Sequence, residues 1–130
     1  MNKSQFIDVK DLEVYQLALA LSKLAWEVYQ KLDRQQRRIL GEQFIKAADS
    51  VGANIVEGYA RYYYLDKIRF YYTSRASLYE CCSHWLDLLK CRELIDQDNF
   101  EQLKQIHKML SIKLNNFISA TYRAKQQSIR

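Results

Sequence analysis

Apolar side chains recur at three- and four-residue steps over most of the chain, the spacing that lines one face of an α-helix. In the first stretch Val14, Ala18, Leu21, Ala25, Val28 and Leu32 keep this step, and Asp11 stands where an N-cap belongs, so a helix is expected from about Asp11 to Leu32. A second stripe, Leu12, Tyr15, Leu19, Trp26 and Tyr29, lies beside the first. A face that wide points to a helix covered from two directions, by its own bundle and by another subunit. A second helix is expected from about Gln36 to Ala60, with Leu40, Phe44, Ala47, Ala48, Val51 and Ile55 as its core face. A third, about Leu65 to Arg92, presents Ile68, Tyr72, Tyr79, Cys82, Leu86 and Leu89; a fourth, about Asp98 to Ala124, presents Phe100, Leu103, His107, Leu110, Leu114, Phe117 and Thr121. Short polar clusters separate them: Asp33 to Gln36, Tyr62 to Tyr64, and Glu93 to Asn99. Each helix would be roughly 33 to 42 Å long at 1.5 Å per residue. Short links between helices of matched length favour antiparallel neighbours, so the expected fold is a single all-α domain, an antiparallel up-down-up-down four-helix bundle.

Composition supports this. The 130 residues contain no proline and three glycines, Gly41, Gly52 and Gly58, too few to punctuate hairpins or to build a Gly-rich phosphate loop. The formal net charge is +5. It is unevenly placed: no acidic residue follows Glu101, whereas Lys104, Lys108, Lys113, Arg123, Lys125 and Arg130 do. The basic character therefore belongs to the last helix, where it could serve an anionic partner such as RNA. On a helical wheel Lys104, Lys108, Arg123 and Arg130 cluster opposite the core stripe, so this charge is expected to face outward. A solvated basic face that merely keeps the protein soluble is the other reading, and Ile112 in the same sector hints that part of it is covered.

Two polar stripes flank the core. Gln43, Lys46, Ser50, Asn54, Glu57 and Arg61 on the second helix, and Asp66, Arg69, Thr73, Ser77, Glu80, His84 and Asp87 on the third, each fall within about 80° of arc. On adjacent antiparallel helices they could face one another, pairing Asn54 and Glu57 with Arg69, Ser77 or Glu80 to fix register or a subunit contact; equally, both edges could be solvated. Arg75 falls near the middle of an apolar face and needs a partner if desolvated. Six of the ten tyrosines lie between Tyr59 and Tyr72, interleaved with Arg61, Lys67 and Arg69. Tyr63, Tyr64 and their neighbours can anchor a protein interface or stack unpaired bases, and burial at an interface is the favoured use.

No catalytic pattern emerges. His84 and His107 sit on different helices without ligand-spaced partners, and no catalytic triad order, His-Glu-x-x-His or Walker-type loop occurs, so no catalytic residue, metal or cofactor is expected. A ribonuclease site built from Glu57, Arg61 and His84 is a distant alternative. Cys81, Cys82 and Cys91 form no Cys-x-x-Cys and read as reduced thiols. The acidic residues near the N-terminus and the lack of a long apolar run argue against a signal peptide or membrane span, so a cytoplasmic protein is expected.

The stretch from Gln43 to Arg61, with its Ser50-x-x-x-Asn54-Ile55-x-Glu57-Gly58 core, closely resembles the signature of the four-helix-bundle proteins encoded by intervening sequences of bacterial 23S ribosomal RNA genes. Phe6, Asp11-Leu12, Val14-Tyr15 and Ala18 match that family's opening pattern, and Arg69-Phe70 and Ser77-Leu78-x-Glu80 its third helix. The sequence departs from the pattern at Lys46, where arginine is usual, at Ser74 in place of alanine and at Ala76 in place of glycine. The resemblance implies a homopentameric ring without enzymatic activity. The chain is also similar to the accessory variability proteins of diversity-generating retroelements, which implies a basic pentameric barrel binding a reverse transcriptase and its template RNA. RNA or another nucleic acid, and that polymerase, are the partners expected on this basis; a homo-oligomeric scaffold that binds only protein is the alternative.

Overall fold

The computed structural model describes residues 7–128, and Phe6 and Arg130 lie outside them. Four long helices account for nearly all of this span. We label them α1 (Glu13–Gln30), α2 (residues 34–59), α3 (residues 64–91) and α4 (Gln97–Ser128). The first starts later than its periodicity implies: Asp8, not Asp11, accepts a hydrogen bond, from the Lys10 amide, and caps a short 3-10 turn, Val9–Asp11, ahead of α1. The start of α2 carries a full capping box, in which Asp33 accepts from the Gln36 amide at 2.8 Å and the Gln36 side chain accepts from the Asp33 amide at 2.9 Å. Asp96 caps α4 without the reciprocal bond, accepting from the Asn99 amide at 2.7 Å. At the end of α3 the Leu94 amide reaches the Leu89 carbonyl and the Glu93 amide the Lys90 carbonyl, a Schellman closure with Glu93 in the left-handed conformation.

Packing partners fix the topology. Gly52 of α2 lies against Tyr15 and Ala18 of α1, and Gly41 against Tyr29 and Leu32, so α1 and α2 run antiparallel. Likewise Gly58 meets Phe70 and Tyr71 of α3, whereas the Ser74 hydroxyl donates to the Val51 carbonyl at 2.8 Å. Tyr71 packs on Phe117 and Tyr79 on His107, which sets α3 antiparallel to α4. Ion pairs close the ring of helices, Lys31–Asp96 at 3.0 Å and Glu13–Lys113 at 3.2 Å, joining opposite ends of α1 to α4. Up-down-up-down order follows from these four antiparallel pairs.

The predicted core faces of α1 and α2 are buried residue for residue. That of α3 needs correction: Tyr72 and Tyr79 are exposed, and Tyr71, Ser74, Leu78 and Cys81 fill the core in their place. The cause is a wider π turn at Cys81–Trp85, which shifts the phase of the helix so that one 100° wheel cannot fit both halves. A matching π turn in α2, Arg37–Gly41, lies at the same end of the bundle, near where α1 ends.

Candidate nucleic-acid interface

The four grooves between neighbouring helices differ in chemistry. Between α1 and α4 lie the two ion pairs just described. The α1–α2 groove is apolar, lined by Tyr15, Leu19, Ala53 and Val56 around a 340 Å³ depression with Leu19, Val56 and nearby Trp26 exposed. The α2–α3 groove is polar, and Gln43, Lys46 and Ser50 face Ser77 and Glu80 across it. The two sequence-predicted polar stripes therefore meet here, but they do not bond across the gap. Each is satisfied along its own helix: Ser50 Oγ donates to the Lys46 carbonyl at 2.7 Å, Asn54 Nδ2 to the Ser50 carbonyl at 2.8 Å, and Arg61 pairs with Glu57 at 3.2 Å. Arg69 is exposed, its carbonyl accepting from Thr73, and Glu80 accepts from the Trp85 indole at 2.9 Å. The expected pairing of Asn54 and Glu57 with α3 is thus replaced by bonds within α2, since a side chain four residues on is closer than one across a groove.

The α3–α4 groove holds the one cross-helix polar side-chain bond foreseen in kind. Arg75, half-buried, donates to Asn115 at 2.9 Å while its guanidinium lies 4.7 Å from the centre of the Tyr72 ring. Tyr79 meets His107 edge to face at 5.4 Å. Burial, with Lys104 beside it, holds the His107 pKa below the usual histidine value.

The basic helix is only partly what its wheel predicts. Lys104 does not face outward: its ammonium donates to the Cys82 carbonyl and to Asp87, both at 2.8 Å, and so fastens α4 to α3. The long lysine stem lets the charge fold back from its wheel position. Lys113 is held by Glu13. Lys108, Arg123 and Lys125 are without an ion-pair partner among the described residues, and Lys108 and Arg123 flank the exposed Ile112 along the outer face of α4. With 32 residues α4 is about 48 Å long against about 27 Å for the 18 residues of α1, so its last turns, with Arg123 and Lys125, outrun α1.

One feature was missed by reading along the sequence. Lys31, Arg34, Arg37 and Arg38 gather at the α1–α2 turn, where Arg37 caps α1 by donating to the Tyr29 and Gln30 carbonyls and Arg34, Arg37 and Arg38 border a shallow cavity. Their spacing was legible, but it straddles the break from Asp33 to Gln36, so that Lys31 reads with the first helix and Arg37 and Arg38 with the second. The tyrosine turn, which the sequence does single out, stands open: Tyr62 is 86% exposed and Tyr63 68%, so this turn is not buried in a helix corner of the protomer. Arg61 stacks on Phe70 at 4.6 Å, and Lys67, its pKa lowered by burial, donates to the Tyr59 carbonyl. The residues of the distant ribonuclease alternative do not assemble. Glu57 lies level with Phe70 and Tyr71, about 20 Å along α3 from His84. Among the described residues no group of three His, Cys, Asp or Glu side chains is placed to hold a metal ion. The Cys81 thiol, hydrogen-bonded to Cys82 and buried, is pushed well up in pKa, the opposite of a reactive thiolate.

The model of the 23S rRNA-intervening sequence protein family matches residues 10–116, from the turn before α1 through most of α4. The chain belongs to this family. Its fold is also that of a crystal structure of a protein of unknown function from the S23 ribosomal protein family of Bacteroides thetaiotaomicron VPI-5482. That structure superposes with a TM-score of 0.74 at 23% identity, covering 81% of this chain and 97% of the other. No curated protein matches the sequence. In this member of the 23S rRNA-intervening sequence family the motif from Ser50 to Gly58 has a physical reading. Ser50, Asn54 and Glu57 form the bonded polar edge, Ile55 enters the core, and Gly58 admits α3 at close range.

Proposed function

We propose that this protein is a non-catalytic, ring-forming accessory protein of the cytoplasm that binds RNA through the outer face and overhanging end of α4. The observation that carries the reading is the charge balance of that helix. Past Glu101 it has no acid of its own, and Glu13 and Asp87, which do reach it, are spent on Lys113 and Lys104. Lys108, Arg123 and Lys125 are left over, and repetition around a homopentamer would set them in a positive belt for phosphates. Membership of a family named for 23S rRNA supports RNA over other polyanions. The resemblance read in the sequence to accessory proteins of diversity-generating retroelements supports a reverse transcriptase as a protein partner of the same ring. Three free cysteines agree with a reducing compartment, and no described helix is long and apolar enough to cross a membrane.

Binding of a structured RNA at rising salt tests this. Each phosphate contact releases counterions, so affinity should fall steeply with salt, and Lys108→Glu with Arg123→Glu should flatten the slope by about one to two phosphate contacts per protomer engaged. Salt-independent binding, or binding unchanged in the double variant, rejects it. A second reading, a scaffold that binds only protein, is favoured by the exposed Leu19, Trp26 and Val56 on one side of the bundle and Tyr72 and Tyr79 on the other. Under that reading the charge reversals leave every partner bound.

A further inference from the structure

The tyrosine turn between α2 and α3 is not explained by the belt on α4. Tyr62 and Tyr63 meet edge to face, with ring centres 5.0 Å apart, and both stand far out of the protomer. Beside them Tyr63, Tyr64, Leu65, Asp66 and Lys125 line an open cavity of about 440 Å³ with mostly apolar walls. Its place is fixed by rigid neighbours. Lys67 ties the start of α3 to the end of α2 through the Tyr59 carbonyl, and Gly58 holds the two helices in contact just below.

We infer that this cavity is a stacking site for an unpaired nucleobase of RNA, a claim that rests on the RNA reading and names the part of the RNA read at this end of the molecule. Three observations favour a base over an anion or an aliphatic side chain. Two of the five lining residues, Tyr63 and Tyr64, bring phenol rings, and base–aromatic stacking works with any base. A single cation, Lys125, sits on the wall contributed by the overhang of α4, where a backbone phosphate would run once the base is inserted. Asp66, contributed by α3, repels a phosphate from the cavity itself but can accept a hydrogen bond from an amino or imino group on a base edge. The cavity thus takes the ring, and α4 takes the backbone. Unpaired loops and ends present bases in this way and A-form duplex does not.

The test compares a labelled RNA hairpin bearing an unpaired loop with a fully paired RNA of the same phosphate count, at fixed salt. Replacing the lining Tyr63 together with the Tyr62 ring packed on it, in the variant Tyr62→Ser with Tyr63→Ser, should weaken the looped RNA about tenfold and leave the duplex unchanged, whereas Tyr62→Phe with Tyr63→Phe retains both affinities. Tyr63 makes no capping bond with its side chain, so serine there does not remove a support of α3, and circular dichroism checks the helix content. Lys125→Glu, which leaves the turn intact, should also weaken the looped RNA more than the duplex. Equal losses for the two RNAs, or none, overturn the stacking site while salt-dependent binding to α4 stands. A fall in oligomer mass in the serine variant shows that the turn is a subunit contact, and overturns it too. If the unmodified protein binds neither RNA, the reading beneath it fails with it.

Discussion

A Cβ at position 58 would stand 2.6 Å from Tyr71 Cε1 and 2.9 Å from both the Lys67 carbonyl oxygen and Phe70 Cβ. The carbonyl belongs to the α3 backbone and cannot swing aside, so a methyl group here must push two helices apart. Position 52 is the contrast. There the nearest atoms, Ala18 Cβ and Tyr15 Cε1, are 3.5 Å away, an ordinary contact. Gly58→Ala should therefore destabilise the protein by about 1 to 3 kcal/mol through overpacking, whereas Gly52→Ala should stabilise it by about 0.5 to 1 kcal/mol by removing a helix-interior glycine. Urea midpoints of the two variants, moving in opposite directions, check this; a shared direction would refute it. The motif from Ser50 to Gly58 marks Gly58 as a specific position in the bare sequence, but its reason is a contact with residues 9 to 13 places further on, across a turn, which no local pattern encodes. Ser74 is similar. Its hydroxyl is fully buried yet satisfied, because it lies beside the Val51 carbonyl of the neighbouring helix.

At the scale of the helix, existence and approximate ends were legible because uninterrupted three- and four-residue steps extend over many turns, with polar clusters between them. Phase in α3 was not. The π turn at Cys81–Trp85 inserts its extra residue without a proline or glycine to announce it, so Tyr72 and Tyr79 read as core while Tyr71 and Leu78 are. The displaced Tyr79 instead meets His107 at the seam of α3 and α4, and this gives the seam a pH dependence. Burial first, and the positive charge of Lys104 second, hold the His107 pKa below its unperturbed 6.5, with Asp87 acting weakly the other way. Since the folded state resists protonation more than the unfolded one, the stability due to this histidine is fully present above pH 6.5 and is lost as pH falls through the lowered value. The Tm should thus decline on going from pH 7 to pH 5, and His107→Phe, which keeps a ring against Tyr79 but cannot charge, should flatten that decline. A variant with the same slope as the parent would assign the pH dependence to other groups. Asp96 does not confuse the reading, because its carboxyl is held below 3.8 by the Asn99 amide and then by Lys31 and therefore titrates in a more acidic window.

For the whole molecule, net charge placed on α4 was legible in the sequence, but how much of it is free was not, because Lys104 and Lys113 are neutralised by residues 17 and 100 positions away. The apolar surplus of α1 was also legible, as a second stripe; of it Leu19 and Trp26 lie exposed, Leu19 in one groove with Val56 of α2, while Leu12, Tyr15 and Tyr29 are partly buried. Across the bundle, α3 exposes Leu65, Tyr72 and Tyr79. These two faces are unlike each other. A two-fold dimer would bury one face against its own copy and leave the other bare, whereas a head-to-tail contact of the α1–α2 face with the α3 face of the next copy uses both and closes into a ring at a suitable angle. The distinction can be read from mixtures. Leu19→Glu should spoil the α1–α2 face and Tyr79→Glu the α3 face; both positions are exposed, and circular dichroism checks that the bundle keeps its fold once the Tyr79 ring is gone from His107. Each variant alone should lose the ring, because every head-to-tail contact needs both faces of the same sequence. Mixed in equal amounts, however, a Leu19→Glu copy still offers a sound α3 face and a Tyr79→Glu copy a sound α1–α2 face, so the mixture should form a one-to-one dimer by native mass spectrometry and stop there. If one variant alone keeps a dimer and the mixture adds nothing, the assembly is two-fold and the positive belt does not form.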